Sequence, residues 1–249
     1  MMKFGIITDI HNNVVALDAV LREFDRQHCD KIICAGDIIG IGPYPERTVQ
    51  RVMSLPNLVA VRGNHEKYLL EDMPSQVPNS EGMGYEEMQH HRWEHGLLTE
   101  SSIAFLSGLP NRQEFKACGK TFFVLHYGMN SRNLYVPYTP HPSARDLQKM
   151  FPVPEQSIVI YGHDHTGAIC HSKNRWFINC GSLGCPGADR NIARAAILEI
   201  TANDRVAVQR IAVPYDASKV LEDMERLKYP AYQEIQRLFF GAGGGHSAP

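Results

Sequence analysis

The chain has 249 residues, 43% of them hydrophobic and 21% charged, a composition typical of a globular protein of one large domain or two small ones. Its 25 lysines and arginines against 27 aspartates and glutamates leave a formal charge of −2, with no dense basic cluster. This balance argues against a nucleic-acid polymer as partner, although a nucleotide substrate is compatible with it.

The N-terminal segment, MMKFGIITDIHNN, is apolar only over residues 4–7, too short for a signal peptide or a membrane span. The cysteines are spread without a CxxC pair, as is typical of free thiols in a reducing compartment. We therefore expect a cytoplasmic protein with no membrane partner. The cysteines concerned are Cys29, Cys34, Cys118, Cys170, Cys180 and Cys185.

Apolar, β-rich runs alternate with helical periodicity in the first part of the chain. Strands are predicted at residues 3–8, 31–35 and 58–62, with an amphipathic helix from Val14 to Phe24 between the first two. This alternation is typical of βαβ units in a parallel sheet. Each strand leads into a polar cluster, and because ligands bind beyond the carboxyl ends of such strands, the clusters predict one shared site.

The pattern then turns helical, which predicts an inserted helical cap over about residues 67–110. Closely spaced strands follow, and they predict a second, more antiparallel sheet packed on the first. The end of the chain predicts a helical pair and then a flexible, glycine-rich tail over 241–249, so that residues 1–240 form a single domain. The later strands are predicted at 113–117, 121–126, 157–161, 167–170, 176–179, 195–200 and 206–213.

Five short motifs carry the chemistry, and together they offer carboxylate, amide and imidazole side chains. Alternate residues of an extended segment share a face, so the two ends of a D-x-H or an H-x-H motif can reach the same ion. These side chains are more numerous than the ligands of one tetrahedral ion, so they predict two divalent ions. Their mixed nitrogen and oxygen donors suit Mn, Fe, Zn or Co. The motifs are Asp9-x-His11, Gly36-Asp37, Gly63-Asn64-His65-Glu66, His126 and Gly162-His163-Asp164-His165.

In this order the motifs resemble those of the calcineurin-like metallophosphoesterases, D-x-H, G-D, G-N-H-[DE], H and G-H-x-H. The second motif, GDIIGIGPYP at residues 36–45, is most similar to that of the bacterial phosphodiesterase group. The resemblance implies an α/β fold, a four-layer α/β/β/α sandwich of two mixed sheets. It also implies a dimetal hydrolase in which a metal-bridging hydroxide attacks phosphorus.

The resemblance further implies a role for each motif residue. His65 would not bind metal but would act as the catalytic residue on the phosphoryl oxygen or the leaving group, held by a carboxylate that the sequence does not identify. Asp37 would bridge the two ions. The first ion would be bound by Asp9, His11, Asp37 and His165, and the second by Asp37, Asn64, His126 and His163.

Two departures from the family pattern bear on the substrate. The protein phosphatases of the family carry Asp-Arg-Gly after the Gly-Asp motif, and here no arginine stands in that stretch. Asn12 follows His11 where the bacterial group commonly has glycine. Asn12, Tyr44 and Arg132 are candidate substrate contacts, as are the cap residues 90–92, whereas Trp93 is expected to anchor the cap to the core.

The function favoured by these motifs is a phosphodiesterase acting on a small or nucleotide-like phosphate ester. A phosphomonoesterase or Ser/Thr protein phosphatase is the alternative, and the sequence does not separate the two. A catalytically silent protein-binding scaffold is a further alternative, against which the complete set of predicted ligands argues. The physiological substrate, the native metal pair and the oligomeric state stay open.

Overall fold

The computed structural model describes residues 1–71, 73–78, 83–185, 187 and 189–241. The described strands are β1 (Met2–Ile7), β2 (Lys31–Cys34), β3 (Leu58–Ala60), β4 (Arg112–Ala117), β5 (Lys120–Leu125), β6 (Ser157–Ile160), β7 (Ala168–Ser172), β8 (Arg175–Asn179), β9 (Ile192–Ile200) and β10 (Val206–Pro214). The described helices are α1 (Val14–Arg26), α2 (Pro45–Met53), α3 (Asn64–Leu70), α4 (Tyr85–His95), α5 (Glu100–Gly108), α6 (Ala144–Met150), α7 (Ala217–Leu227) and α8 (Tyr232–Phe239). None of these helices is long and apolar enough to cross a membrane.

The strands form two five-stranded mixed sheets. In the first, with the order β10-β9-β1-β2-β3, the strands β1, β2 and β3 are parallel and β9 and β10 are antiparallel additions at one edge. In the second, with the order β4-β5-β6-β8-β7, the central strands β5, β6 and β8 are parallel and both edge strands are antiparallel. The carboxyl ends of parallel strands in each sheet are therefore available for a site.

Three layers of apolar contact hold the sheets and helices together. Phe4 and Ile33 of the first sheet pack against Phe122 and Ile160 of the second in one buried cluster. Helices α1, α2 and α7 cover the outer face of the first sheet, and α6 covers the second through Leu147. This arrangement confirms the predicted four-layer α/β/β/α sandwich of two mixed sheets.

The late strands pair differently from the sequence expectation. β9 and β10 were expected in the second sheet, but β9 pairs antiparallel with β1, with Ile6 opposite Ala196. The two strands form a hairpin with each other, and a hairpin satisfies its local pairing whichever sheet it joins. The hairpin joins the first sheet because the edge of β1 is free to pair with β9. The spacing of the strands along the sequence does not reveal this free edge.

Helix α2 was not predicted, although Pro45 at its first position and the buried Val49 and Val52 are consistent with an amphipathic helix. The segment predicted as a helical cap contains most of α3 together with α4 and α5. The predicted tail lies outside the described residues beyond Gly241. The single-domain organisation stays a prediction.

Candidate metal centre and active site

The candidate residues lie in loops at the carboxyl ends of five strands. Asp9 and His11 follow β1, Asp37 follows β2, and Asn64 begins α3 just after β3. Two backbone hydrogen bonds tie the first pair of loops together, from Asp9 N to Gly36 O at 3.0 Å and from Ile10 N to Asp37 O at 2.8 Å. Because the two sheets face each other, the loops after β5 and β6 bring in the remaining histidines: His126, His163 and His165.

The backbone of these loops is held in uncommon conformations. Asp9, His11, Asp37 and His163 all have positive φ angles, between 48° and 69°. Such conformations cost free energy and persist only where the surrounding contacts fix them, which is typical of functional sites. The turns are also tight, since a Cβ atom at Gly63 would collide with the carboxylate of Asp37.

One group of donor atoms surrounds the side chain of His11. Its Nε2 lies 3.0 Å from His165 Nε2, 3.7 Å from Asp9 Oδ1 and 3.9 Å from Asp37 Oδ2. The separation of Asp9 Oδ1 from His165 Nε2 is 3.4 Å. Ligands of a tetrahedral ion with bonds of about 2.1 Å lie about 3.4 Å apart, so the spacing suits one divalent ion.

A second group begins at the same carboxylate oxygen. Asp37 Oδ2 lies 3.2 Å from His126 Nε2. Asn64 Oδ1 lies 3.1 Å from that nitrogen and 3.1 Å from His163 Nδ1. Asp37 Oδ2 is thus common to both groups, which is the position of a bridging ligand.

Contacts behind the donor atoms fix their orientation. Nδ1 of His11 lies 3.2 Å from Ile39 O, and Nδ1 of His126 lies 2.8 Å from Ala35 O. When these nitrogens donate to the carbonyls, each Nε2 is left as an acceptor facing the centre, as metal-binding histidines require. Thr8 Oγ1 donates to Asp9 Oδ2 at 2.7 Å and orients that carboxylate.

The charges of the centre favour a cation. Burial would raise the pKa of Asp9 and of Asp37, but the neighbouring imidazoles outweigh it and hold both pKa values below their usual range. Burial lowers the pKa of His11 to about 3, so that its ring is neutral and able to bind an ion. Burial opposes protonation of His126 too, but Asp37 raises its pKa to about 9. A cation at the centre would take the place of that proton.

Glu66, the last residue of the third motif, lies directly behind Asp37, and the sequence assigned it no role. Its two oxygens accept hydrogen bonds from backbone N–H groups of Gly63 (2.6 Å), Asp37 (3.0 Å), Ile38 (2.7 Å) and Ile39 (3.1 Å). Burial and the nearby Asp37 raise its pKa to about 7. The side chain therefore connects the loop after β2 to the start of α3 and sets Asp37 relative to Asn64.

We expect Glu66→Ala to lower the free energy of unfolding by about 3–5 kcal/mol, because it leaves several buried N–H groups without an acceptor. Glu66→Gln keeps one acceptor oxygen and should cost less. Urea unfolding of the metal-free protein measures both. Glu71→Ala, one helical turn further at a largely exposed position, is the matched control and should change stability by less than about 0.5 kcal/mol. Equal effects of the alanine variants would contradict this role for Glu66.

His65 lies beside the centre. Its Nε2 is 3.9 Å from Asp37 Oδ2, and its backbone N–H donates to Asp37 Oδ1 at 3.0 Å. The carboxylate expected to hold the ring is not in hydrogen-bond contact with it, since His65 Nδ1 is buried without a hydrogen-bond partner among the described residues. That nitrogen lies against Gly40, where a Cβ atom would collide with it.

A cleft of about 520 Å³ opens from the centre. One wall is apolar and comes from α8, through Ile235, Leu238 and Phe239, residues for which the sequence offered no signal. The cap contributes Glu86, Glu87, His90 and His91 from α4, and α8 adds Glu234. No lysine or arginine is found among the described residues that line the cleft.

The three candidate substrate contacts lie outside the described lining of this cleft. Asn12 is fully buried and donates through Nδ2 to Glu94 Oε2 at 2.6 Å. The hydroxyl of Tyr44 donates to Asp223 Oδ2 at 2.6 Å, and Arg132 lies exposed in the loop after β5. Their roles in substrate binding stay predictions.

The cap residues at positions 90–93 differ in whether they line the cleft or pack in the core. His90 and His91 are buried and line the cleft, whereas Arg92 is exposed and is not part of its described lining. Trp93 stacks on Tyr229 with ring centroids 4.5 Å apart, which is the packing expected of a core anchor.

Comparisons with known proteins point to one family. The model of the calcineurin-like phosphoesterase superfamily domain matches residues 2–203. The chain is 25% identical to the uncharacterized protein MJ0912 of Methanocaldococcus jannaschii, over 95% of this chain and 97% of that protein. A metallophosphoesterase structure from Sphaerobacter thermophilus is 25% identical with a TM-score of 0.68, covering 97% of this chain and 99% of that chain. The structure of the hypothetical protein PH1004 from Pyrococcus horikoshii OT3, 17% identical, shares the fold with a TM-score of 0.79 and coverages of 98% and 100%.

Proposed function

This chain belongs to the calcineurin-like phosphoesterase superfamily and is a metal-dependent phosphoesterase, and from that premise we propose that it is a two-metal phosphodiesterase acting on a small or nucleotide-like ester. The observation that supports two ions is the position of Asp37 Oδ2, 3.9 Å from His11 Nε2 and 3.2 Å from His126 Nε2. One carboxylate oxygen within reach of both donor groups is the arrangement of a dinuclear centre.

The two donor groups support a division of the ligands between the two proposed ions. The first ion is held by Asp9, His11, Asp37 and His165, and the second by Asp37, Asn64, His126 and His163. The donors are nitrogen and oxygen without sulfur, which suits Mn, Fe, Zn or Co, and we propose manganese for reconstitution. When bound, the two ions supply an ionised water as nucleophile and neutralise charge on the phosphoryl oxygens.

The side chain of His65 has a separate role. Its ring is directed at the centre through Nε2, 3.9 Å from Asp37 Oδ2, on the same side as the cleft. A proton carried on this nitrogen lies where it can be donated to the departing oxygen of the ester or to a phosphoryl oxygen. His65 thus acts on the substrate without being a ligand of the dinuclear centre.

The cleft supports a diester over a monoester. A monoester dianion calls for a cationic partner such as arginine, which neither the Gly-Asp motif nor the described lining of the cleft supplies. A diester monoanion carries less charge, and its second organic arm can lie against Leu238 and Phe239 of α8. The acidic Glu86, Glu87 and Glu234 further disfavour the more negatively charged monoester dianion.

With manganese bound, we expect bis(p-nitrophenyl) phosphate to be hydrolysed with a higher kcat/KM than p-nitrophenyl phosphate. Release of nitrophenolate at matched metal concentration measures both. A tenfold or greater preference for the monoester would instead assign a phosphomonoesterase.

The apolar wall can be tested separately. Leu238→Asp should raise KM for the diester about tenfold, since an apolar contact is lost and a negative charge is added beside an anionic substrate. Leu227→Asp is the matched control, because Leu227 is equally exposed but ends α7, outside the described lining of the cleft.

A further inference from the structure

A second cluster of buried imidazole and carboxylate groups lies next to the candidate centre, on the cap helix α4. It consists of His91, Glu94 and His95 together with His65 of α3. His91 and Glu94 are fully buried, and one donor atom each from His65, His91 and Glu94 lies within 4.8 Å of the others. None of the three α4 residues belongs to the proposed dinuclear centre.

Glu94 occupies the middle of this cluster. Its Oε1 lies 2.6 Å from His91 Nδ1 and 3.8 Å from His95 Nε2. Its other oxygen, Oε2, accepts hydrogen bonds from Asn12 Nδ2 at 2.6 Å and from Gly40 N at 2.8 Å. The carboxylate is therefore held in place from behind, with Oε1 facing the imidazole rings.

Some ring nitrogens of the imidazoles around Glu94 lack hydrogen-bond partners. Nδ1 of His65 and Nε2 of His95 are buried and have no hydrogen-bond partner among the described residues, while Nε2 of His91 lies 3.8 Å from Glu87 Oε1. Buried polar nitrogens are normally paired, because an unpaired one loses its hydration without compensation. Two such nitrogens near one fixed carboxylate indicate a missing partner that they share, and Nδ1 of His91, 2.6 Å from Glu94 Oε1, is placed to bind the same partner.

We propose that His65, His91, Glu94 and His95 form a third metal site, which takes zinc or a similar divalent transition-metal ion. Imidazole nitrogens and a carboxylate oxygen are established donors for zinc, and four of them match its tetrahedral coordination. Donors of such an ion lie about 3.4 Å apart, so the pair formed by His91 and Glu94 would widen by less than about 1 Å. A modest side-chain rotation is enough for that change.

The charges of the cluster are compatible with an ion. Burial would raise the pKa of Glu94, but its hydrogen bond with His91 lowers it, so the carboxylate is ionised. Burial lowers the pKa of His95 to about 4, which leaves its ring neutral. Burial opposes protonation of His91, but Glu87 and Glu94 raise its pKa to about 9, and an ion would replace that proton.

The third site has a consequence for catalysis that rests on the proposed function. An ion on Nδ1 of His65 leaves the proton of the neutral ring on Nε2, the nitrogen that faces Asp37. The ion thereby does for His65 what a carboxylate partner does in a histidine–carboxylate pair: it fixes the tautomer and the ring orientation. Helix α4 of the cap would then position the catalytic residue, His65.

The test is the zinc content of the purified full-length chain after loading with zinc chloride and removal of free metal, measured by elemental analysis. We expect three ions in the unmodified chain, two in His91→Gln and in His95→Gln, and one in Asp37→Ala. His95 is partly exposed at 16% of its side-chain area, so its variant should fold even where His91→Gln does not. Far-UV circular dichroism checks folding in each case.

His90→Gln is the matched control, since His90 is a buried neighbour on α4 whose ring packs against Trp93 and Tyr229 and is not one of the proposed donors. It should retain three ions. Two ions in the unmodified chain and none in Asp37→Ala would overturn the third site while leaving the dinuclear centre intact. A single ion that survives Asp37→Ala but is lost in His95→Gln would support the third site and contradict the proposed dinuclear centre. Loss of an ion from His90→Gln as well would identify that ion as adventitious and overturn the proposal.

Discussion

Asp37→Ala should remove both ions of the dinuclear centre together and reduce phosphoester hydrolysis to the level of the metal-free protein. The reason is the position of one oxygen, since Asp37 Oδ2 lies 3.9 Å from His11 Nε2 and 3.2 Å from His126 Nε2. Its loss takes a ligand from each ion and also removes the negative charge that offsets their mutual repulsion. Elemental analysis after manganese loading measures the loss, alongside hydrolysis of bis(p-nitrophenyl) phosphate.

Asp164→Asn is the matched control for that variant. Asp164 is equally buried and stands between two of the proposed ligands in the sequence, but its carboxylate accepts hydrogen bonds from Thr166, with Oγ1 at 2.7 Å. It should keep both ions and most of the activity. Loss of only one ion from Asp37→Ala would assign that carboxylate to a terminal position on a single metal.

The residues of the candidate centre could be predicted because each chemical signal is local. Asp9, Asp37 and Asn64 each follow a short apolar strand, and parallel strands bring their carboxyl ends to one edge of a sheet. The same reasoning gave two packed sheets, since strand and helix periodicities reflect which face of each element is buried, whereas the four-layer sandwich was implied by the resemblance to the family. The local pattern places these residues together but does not test whether they bind metal. The experiments on Asp37 test that.

The surroundings of the centre could not be predicted because they depend on contacts between distant parts of the chain. Asn12 was a candidate substrate contact, yet its amide reaches Glu94, 82 positions later, in the cap helix. The cleft wall formed by α8 comes from the other end of the chain. There the pattern of apolar residues predicted a helix but not the surface that the helix contacts. The hairpin formed by β9 and β10 likewise joins the first sheet through the free edge of β1.

His65→Ala should leave both ions of the dinuclear centre in place and lower kcat by about 10²–10⁴-fold, the usual contribution of a positioned acid or oxyanion donor. The ring lies 3.9 Å from Asp37 Oδ2 through Nε2, close enough to the centre to reach a bound ester without being a ligand. A manganese analysis of the variant separates this result from metal loss. His171→Ala, which alters an exposed ring packed on Trp176 in the second sheet, outside the described lining of the cleft, should retain near-normal turnover.

The identity of the ester distinguishes the two roles open to His65. If Nε2 donates its proton to the departing oxygen, the variant should lose much more activity on a diester with an alkoxide leaving group than on bis(p-nitrophenyl) phosphate, because nitrophenolate departs without a proton. If the ring instead stabilises the phosphoryl oxygens, both esters are slowed alike, since those oxygens gain the same charge in each reaction. An unequal loss therefore assigns His65 as the general acid, whereas an equal loss assigns it to the phosphoryl oxygens and excludes proton donation to the leaving group.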